Sequence, residues 1–151
     1  MASQTFFRVA RGPYRRDLSG RGAELFGGRW NPVGTPAFYA ASSISLAMLE
    51  MLVHAQHNPL DHFVMKVLVP DRQIAAILPA DLPSGWNQLS DQTASQQLAM
   101  GRLFAADTFG LLVPSVVVPE EWNLVLNPRH RLMSEVSIAE LRPLDADPRL
   151  L

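Results

Sequence analysis

The stretch LFGGRWNPVGTPAFYA, residues 25–40, places two glycines and the run RWNP ahead of a short apolar strand. The stretch overlaps the end of a longer segment, residues 10–35, that is rich in Gly, Arg and Pro. This segment has no hydrophobic period, which predicts a long ordered loop. Long loops in compact domains are usually functional or disordered, and the Arg and aromatic content here favours function. Arg29 and Tyr39 are therefore the first candidates for a site.

The helix that follows carries one carboxylate among apolar residues. ISLAMLEMLVHA, residues 44–55, is apolar at nearly every position, with Glu50 in its middle. A Ser pair in front of it offers an N-cap, and Asn58-Pro59 predicts the end of the helix near His57. A helix that is apolar all round is typical of a buried helix, where a carboxylate needs a partner. Two interpretations stay open: Glu50 lies on a solvated polar stripe, or it lines a pocket that uses its charge.

Each candidate also has an alternative interpretation. Arg29 can lie over an aromatic ring as a cation–π pair, and Tyr39 can be a core residue with a satisfied hydroxyl. Glu50, His54 and His57 fall at i, i+4 and i+7 on one helical face, which would allow a metal-dependent hydrolase, although the metalloprotease order is absent. Solvated or core histidines are the commoner outcome, so we predict no metal site.

Composition narrows the class of protein. A chain of 151 residues with 48% hydrophobic and 18% charged residues predicts one globular domain. The net charge of −1 gives no electrostatic case for binding nucleic acid or an anionic membrane. The absence of cysteine excludes disulfides, thiolate catalysis and sulfur-based zinc sites. No apolar run is long enough to span a bilayer and the N-terminus lacks a signal-peptide core, so we expect a soluble, cytoplasmic domain.

The remaining periodicity predicts an α+β domain with small mixed or antiparallel sheets and flanking helices, because short strands fall in two groups around two helices. Pro114 predicts an edge or a bulge in its strand. The predicted strands are 5–9, 36–40, 62–69, 73–78, 111–118 and 122–127, the predicted helices are 44–57 and 90–106, and residues 136–144 end the domain.

Taken together, three segments resemble the RES domain family, which is named for an Arg, a Glu and a Ser. They are FFRVARG (6–12), LSGRGAELFGGRWNPVGTPAFYAASSISLAMLEMLVH (18–54) and VPSVVVPEEWNLVLNPRH (113–130). The resemblance covers nearly all of the chain, least of all residues 71–110, and departs from the family at Trp122, where a basic residue is expected. It implies one RES domain over residues 1–151, with a fold similar to ADP-ribosyltransferase domains.

The resemblance also implies the activity of a toxin from a bacterial toxin–antitoxin pair that acts on NAD⁺, by degrading it or by transferring ADP-ribose. Arg29, Glu50 and Ser115 match the name residues, and Tyr39 joins them as a catalytic residue. Glu50 would stabilise the cation that forms on the ribose, Arg29 would bind the pyrophosphate, Tyr39 would stack on nicotinamide, and Ser115 would hydrogen-bond the ribose or Glu50. The expected NAD⁺ contacts are Arg8, Tyr14, Arg29, Trp30, Asn31 and Tyr39.

The same resemblance implies a partner. An antitoxin with an Xre-like helix-turn-helix would block the site and bind the operator, while this neutral chain would bind neither nucleic acid nor a membrane. A homodimer is a further expectation, with Leu150-Leu151 as apolar surface. The competing hypothesis from another class is a binding module that has kept the fold and lost turnover.

Overall fold

A computed structural model describes residues 2–54 and 61–150 of the chain. The strands are β1 Ser3–Arg11, β2 Phe38–Ala41, β3 His62–Pro70, β4 Ile74–Ala76, β5 Gly110–Pro114, β6 Trp122–Leu126 and β7 Ser137–Pro143. The α-helices are α1 Arg21–Phe26, α2 Ile44–His54 and α3 Thr93–Ala99, and a π-helical turn, Met100–Phe104, continues the last of them. Short 3₁₀ turns lie at Gly12–Tyr14, Pro79–Asp81, Arg131–Glu135 and Pro148–Leu150.

The strands form one seven-stranded sheet in the order β4-β5-β6-β2-β1-β3-β7. Every neighbouring pair is antiparallel except β4 and β5, which are parallel. β1 pairs with β3 along its whole length, whereas β1 and β2 meet only where Phe7 lies opposite Ala41. The sheet therefore consists of two halves joined at one residue pair, which confirms the predicted α+β domain of mixed, mainly antiparallel strands.

Alternation along the strands separates two faces of the sheet. Phe38 and Leu124 pack into one large apolar cluster, while their neighbours Tyr39 and Val125 belong to a second cluster on the opposite face. Trp30, the end of α3 and the π-helical turn pack on this second face. Helix α2 also covers this face, through contacts of its buried Leu46 and Ala47 with neighbouring β1 and β2. The two helices thus lie over the same side of the sheet as Tyr39.

Several predicted elements are wrong in extent. The segment 10–35 is not all loop, because α1 lies inside it, set off by Gly20 and Gly27, both at positive φ. Six residues are too few to show a hydrophobic period. Strand β5 ends at Pro114 rather than at 118 because the Ser115 hydroxyl accepts the N–H groups of Val117 and Val118 and turns the chain.

The prediction that α2 is buried all round is also wrong. Only Leu46 and Ala47 are buried, and Val53 remains 59% exposed. The helix packs on the sheet through one face, and its other apolar residues are half-buried or exposed. Its described part ends at His54, and the predicted end near His57 lies outside the described residues. Over 2–54 and 61–150, no helix has the length and apolarity that a bilayer crossing requires.

Candidate active site

The Glu50 carboxylate is held by two neighbouring strands. Ser115 Oγ donates a hydrogen bond of 2.7 Å to Glu50 Oε1, and Asn123 Nδ2 donates a second bond of 2.7 Å to the same oxygen. Within the described ranges, no donor meets Oε2. Glu50 itself is half-buried. The carboxylate is therefore hydrogen-bonded rather than fully solvated, and the interpretation that it lines a pocket stays a prediction.

Ser115 faces Glu50 and has no surface for a ligand. Its side chain is fully buried, and its oxygen accepts the N–H groups of Val117 and Val118, each at 3.0 Å. Because a hydroxyl has a single proton, its one donor is committed to Glu50. Of the two roles expected for Ser115, direct contact with a ribose is incompatible with this burial. Its contact with Glu50 remains.

Asn123 was missed by the sequence analysis. It lies in β6 opposite Ala41 of β2 and Val113 of β5, on the same face of the sheet as Tyr39. A signal was present in the strand WNLVLN, since Asn123 is in phase with the buried Val125 and a polar group on a buried face requires a partner. The partner itself, Glu50, is too far away in sequence for periodicity to reveal.

Arg29 is half-buried in the loop that precedes β2. Its Nη1 donates to the carbonyl oxygens of Trp86 at 3.1 Å and Gln88 at 2.6 Å. Among the described residues no acceptor meets its Nε–Nη2 edge. Burial lowers the pKa of Arg29, while the nearby Tyr39 and the charge of Glu50 act to raise it.

The hydroxyl of Tyr39 fixes the loop that carries Arg29. It donates to Asn31 Oδ1 at 2.6 Å and accepts the Trp30 N–H at 3.0 Å. Burial raises the pKa of Tyr39 above its ordinary value, so the phenol stays neutral. Gly28 makes this close approach possible, since a Cβ there would lie 2.7 Å from Asn31 Oδ1 and 2.9 Å from the Tyr39 hydroxyl. With its hydroxyl committed, Tyr39 has only its half-buried ring to offer a ligand.

Trp30 and Asn31, which we expected to contact NAD⁺, are instead buried supports of the loop. Asn31 is 0% exposed, and its Nδ2 donates to the carbonyl oxygens of Ala23 and Thr35 at 2.8 Å each. Trp30 is 2% exposed and stacks on Trp86, with ring centres 6.0 Å apart. Neither side chain has surface for a substrate in this conformation, because each is used to anchor the loop.

Helix α3 holds the same loop from outside. Gln96 Nε2 donates to the carbonyl oxygens of Gly28 at 2.8 Å and Asn31 at 3.1 Å, and Ser95 Oγ donates to that of Arg29. These two residues were also missed by the sequence analysis. They lie in the segment that resembles the RES family least, and polar residues in a short helix carry no sign of a distant loop.

Two further candidates, Arg8 and Tyr14, make no hydrogen bond to Glu50. Arg8 Nη1 donates to the Tyr39 carbonyl oxygen at 3.0 Å, and its guanidinium carbon lies 5.5 Å from the centre of the Phe38 ring. Phe38 belongs to the cluster on the face opposite the Tyr39 ring, and burial lowers the pKa of Arg8. Tyr14 is 56% exposed in the turn Gly12–Tyr14. The structure does not bring either residue into contact with Glu50.

The metal alternative gains no support from the described residues. His54 is exposed at the end of α2, and His57 lies outside the described residues. No group of three or more His, Cys, Asp or Glu side chains that could hold a metal ion occurs in the described part of the chain.

The arrangement combines a partnered carboxylate, a guanidinium with a free edge and an aromatic ring on one face of a split, mainly antiparallel sheet. Such an arrangement can bind an anionic group at the guanidinium and stabilise positive charge beside the carboxylate.

Comparison with known proteins identifies the class. The RES domain family model matches residues 5–147, and the chain belongs to the RES domain family. It is 40% identical to the Prs ADP-ribosylating toxin of Sphingobium sp. (strain YBL2), over 89% of this chain and 87% of that protein. It is 41% identical to Toxin Res of Yersinia enterocolitica, over 87% of this chain and 89% of that protein.

A structural relative agrees with this family. A chain of the crystal structure of the M. tuberculosis MbcT–MbcA toxin–antitoxin complex superposes with a TM-score of 0.77 and 25% identity, over 95% of this chain and 85% of that chain. A shorter match of 55 residues is 47% identical to the NAD(+) phosphorylase MbcT of Mycobacterium tuberculosis, over 36% of this chain and 29% of that protein.

Proposed function

We propose that this protein is the toxin of a toxin–antitoxin pair and that it consumes NAD⁺ by cleaving the bond between nicotinamide and ribose. The observation that carries the proposal is the Glu50 carboxylate, held by Ser115 and Asn123 beside Arg29 and Tyr39 in a RES domain. The names of the relatives support it, since one is an ADP-ribosylating toxin and another is an NAD(+) phosphorylase.

The chemistry of the reaction matches a fixed carboxylate. As the C1′–N bond breaks, the electron pair leaves with nicotinamide, which departs neutral, and positive charge grows on the ribose. The acceptor then forms a bond to C1′ and loses its proton, so that NAD⁺ and the acceptor give nicotinamide, an ADP-ribosyl product and one proton. Glu50 stabilises the ribose cation or orients a ribose hydroxyl, with little reorganisation because its position is already fixed.

Arg29 and Tyr39 position the substrate in this proposal. The free Nε–Nη2 edge of Arg29 is a planar fork that suits the pyrophosphate, while Nη1 anchors the guanidinium on two carbonyl oxygens. The Tyr39 ring stacks on nicotinamide and favours the reactive conformer. Ser115 acts through Glu50, and Trp30 and Asn31 act through the Arg29 loop. We place Arg8 and Tyr14 outside direct contact with the reacting bond.

The proposed partner is a cognate antitoxin that covers the cleft. The structural relative was solved as a toxin–antitoxin complex. An Xre-like helix-turn-helix in the antitoxin would leave operator binding to that partner, because this chain has a net charge of only −1. We place the reaction in the cytoplasm, where a cysteine-free chain meets no redox constraint.

The decisive experiment is mass-resolved product analysis of the purified protein with NAD⁺, with and without inorganic phosphate. Glu50→Gln is the test variant, and Glu140→Gln on β7 is the matched control, because that glutamate is exposed and far along the sheet. We expect free nicotinamide from the native protein and from Glu140→Gln but not from Glu50→Gln. The second product, ADP-ribose or its phosphorylated form, identifies the acceptor.

A protein acceptor requires one more arm. If neither condition releases nicotinamide, cell lysate is added and proteins are examined for a gain in mass equal to ADP-ribose. A modified protein would identify a transferase. The absence of nicotinamide and of modified protein under all three conditions would reject the proposal and favour a binding module without turnover.

A further inference from the structure

We propose that Asn123 is a positioning residue of the NAD⁺-cleaving site, which together with Ser115 reserves one oxygen of Glu50 as an anchor and leaves the other to face the substrate. This inference rests on the proposed function and assigns different tasks to the two carboxylate oxygens. Both donors meet Oε1, each at 2.7 Å, and in the described parts of the chain no donor meets Oε2.

Both donors come from positions fixed by the surrounding backbone. Ser115 is fully buried, and its oxygen also accepts two backbone N–H groups. Asn123 is fixed within the sheet, since its strand pairs with Ala41 on one side and Val113 on the other. Two rigid donors on one oxygen set both the rotamer of Glu50 and the plane of its carboxylate, which a single bond would leave free to rotate.

Asn123 adds a second donor to Glu50 from the half of the sheet that also carries Ser115. Glu50 comes from α2, which packs mainly over β1, whereas Asn123 comes from β6 in the other half of the sheet. An amide donor on β6 holds the carboxylate across this junction without adding a charge that would compete with the ribose cation. A carboxylate at position 123 would instead repel Glu50, and an alanine would leave Oε1 with one donor.

A positioning role for Asn123 predicts kinetic effects that differ from those expected of a structural residue. Misplacing a catalytic group by about 1 Å costs on the order of 100-fold in rate. We therefore expect Asn123→Ala to lower kcat for nicotinamide release by about 10- to 100-fold while KM for NAD⁺ stays within about threefold, since Arg29 and Tyr39 still bind the substrate. Asn123→Asp keeps the shape and should lower kcat by at least as much.

The experiment measures kcat and KM for native protein, Asn123→Ala, Asn123→Asp and the control Asn127→Ala, with thermal melting of each. The assays contain water alone, phosphate or cell lysate, whichever allows the native protein to release nicotinamide. Asn127 lies directly after β6 and its Oδ1 accepts the Arg129 N–H at 3.0 Å, so its variant also loses one hydrogen bond but none to Glu50. Asn127→Ala should keep native kcat and KM.

Each outcome decides one question. A native protein without turnover in water, phosphate or lysate overturns the proposed function and this role with it. An active native protein, together with Asn123→Ala at native kcat, overturns the role of Asn123 alone. A rise in KM at native kcat, or loss of the cooperative melting transition, identifies a residue needed only for binding or folding and also overturns the inference.

Discussion

Ser115 and Glu50 are joined by a 2.7 Å hydrogen bond between two elements that are 65 residues apart in the chain. The bond consumes the only proton of a fully buried hydroxyl. The Glu and Ser of the family name are therefore one physical unit here: a carboxylate and the donor that holds it.

Glu50→Gln should abolish nicotinamide release with little effect on the fold. The amide oxygen of Gln can still accept both hydrogen bonds, from Ser115 and Asn123, but carries no charge. Glu50→Ala should be less stable than Glu50→Gln by about 1–3 kcal/mol, because it leaves the buried Ser115 hydroxyl without its acceptor. Nicotinamide release and urea denaturation test the two effects, and full activity of Glu50→Gln would reject the electrostatic role.

Arg29→Lys should raise KM for NAD⁺ by about 10-fold or more with a smaller effect on kcat. A lysine ammonium cannot anchor on two carbonyl oxygens and offer a planar fork at the same time. Arg142→Lys on β7 is the control, since Arg142 is exposed and outside the cleft. An unchanged KM for Arg29→Lys would count against Arg29 as the pyrophosphate ligand.

Gly28→Ala should impair both stability and turnover, because its Cβ would lie within 3 Å of the side-chain Oδ1 of Asn31 and the Tyr39 hydroxyl. Relief of this clash requires the Arg29 loop to move, so we expect a loss of about 1–3 kcal/mol, typical of overpacking. Gly22→Ala is the matched control: its Cβ would meet nothing within 4 Å, and it lies in α1. That variant should be as stable as the native protein or slightly more stable.

The stability of the protein at alkaline pH should depend on the buried phenol of Tyr39. Burial raises the pKa of Tyr39 in the folded state, so the folded protein keeps a proton that the unfolded chain releases above about pH 10. The contribution of Tyr39 to stability is therefore fully present below about pH 10 and is lost as the pH rises beyond it. Urea denaturation between pH 8 and pH 11 (roughly one unit above the ordinary pKa of tyrosine) should show a steeper loss of stability for native protein than for Tyr39→Phe.

The sequence and the resemblance together placed Arg29, Tyr39, Glu50 and Ser115 in one candidate site. The structure joins Glu50 to Ser115 and joins Tyr39 to the loop that carries Arg29. The sequence revealed the loop because it is unusually rich in Arg and aromatic residues. It revealed Glu50 because a charge is unusual in an apolar helix. The roles of these residues in catalysis stay predictions until variants are measured.

Other parts of the site left no such local pattern. Asn123, Ser95 and Gln96 matter through hydrogen bonds to residues more than 60 positions away, and single-sequence periodicity contains no distances of that kind. Trp30 and Asn31 were expected at the substrate because they flank Arg29, but neighbours in a tight loop often point in opposite directions. Their burial follows from the hydrogen-bonding needs of the loop itself.

The single pairing of Phe7 with Ala41 is a narrow junction between the two halves of the sheet. Glu50 reaches the β5–β6 half from a helix that packs mainly on β1, so its two hydrogen bonds tie the halves together. The contacts that hold the carboxylate therefore also fasten the sheet where its backbone pairing is thinnest.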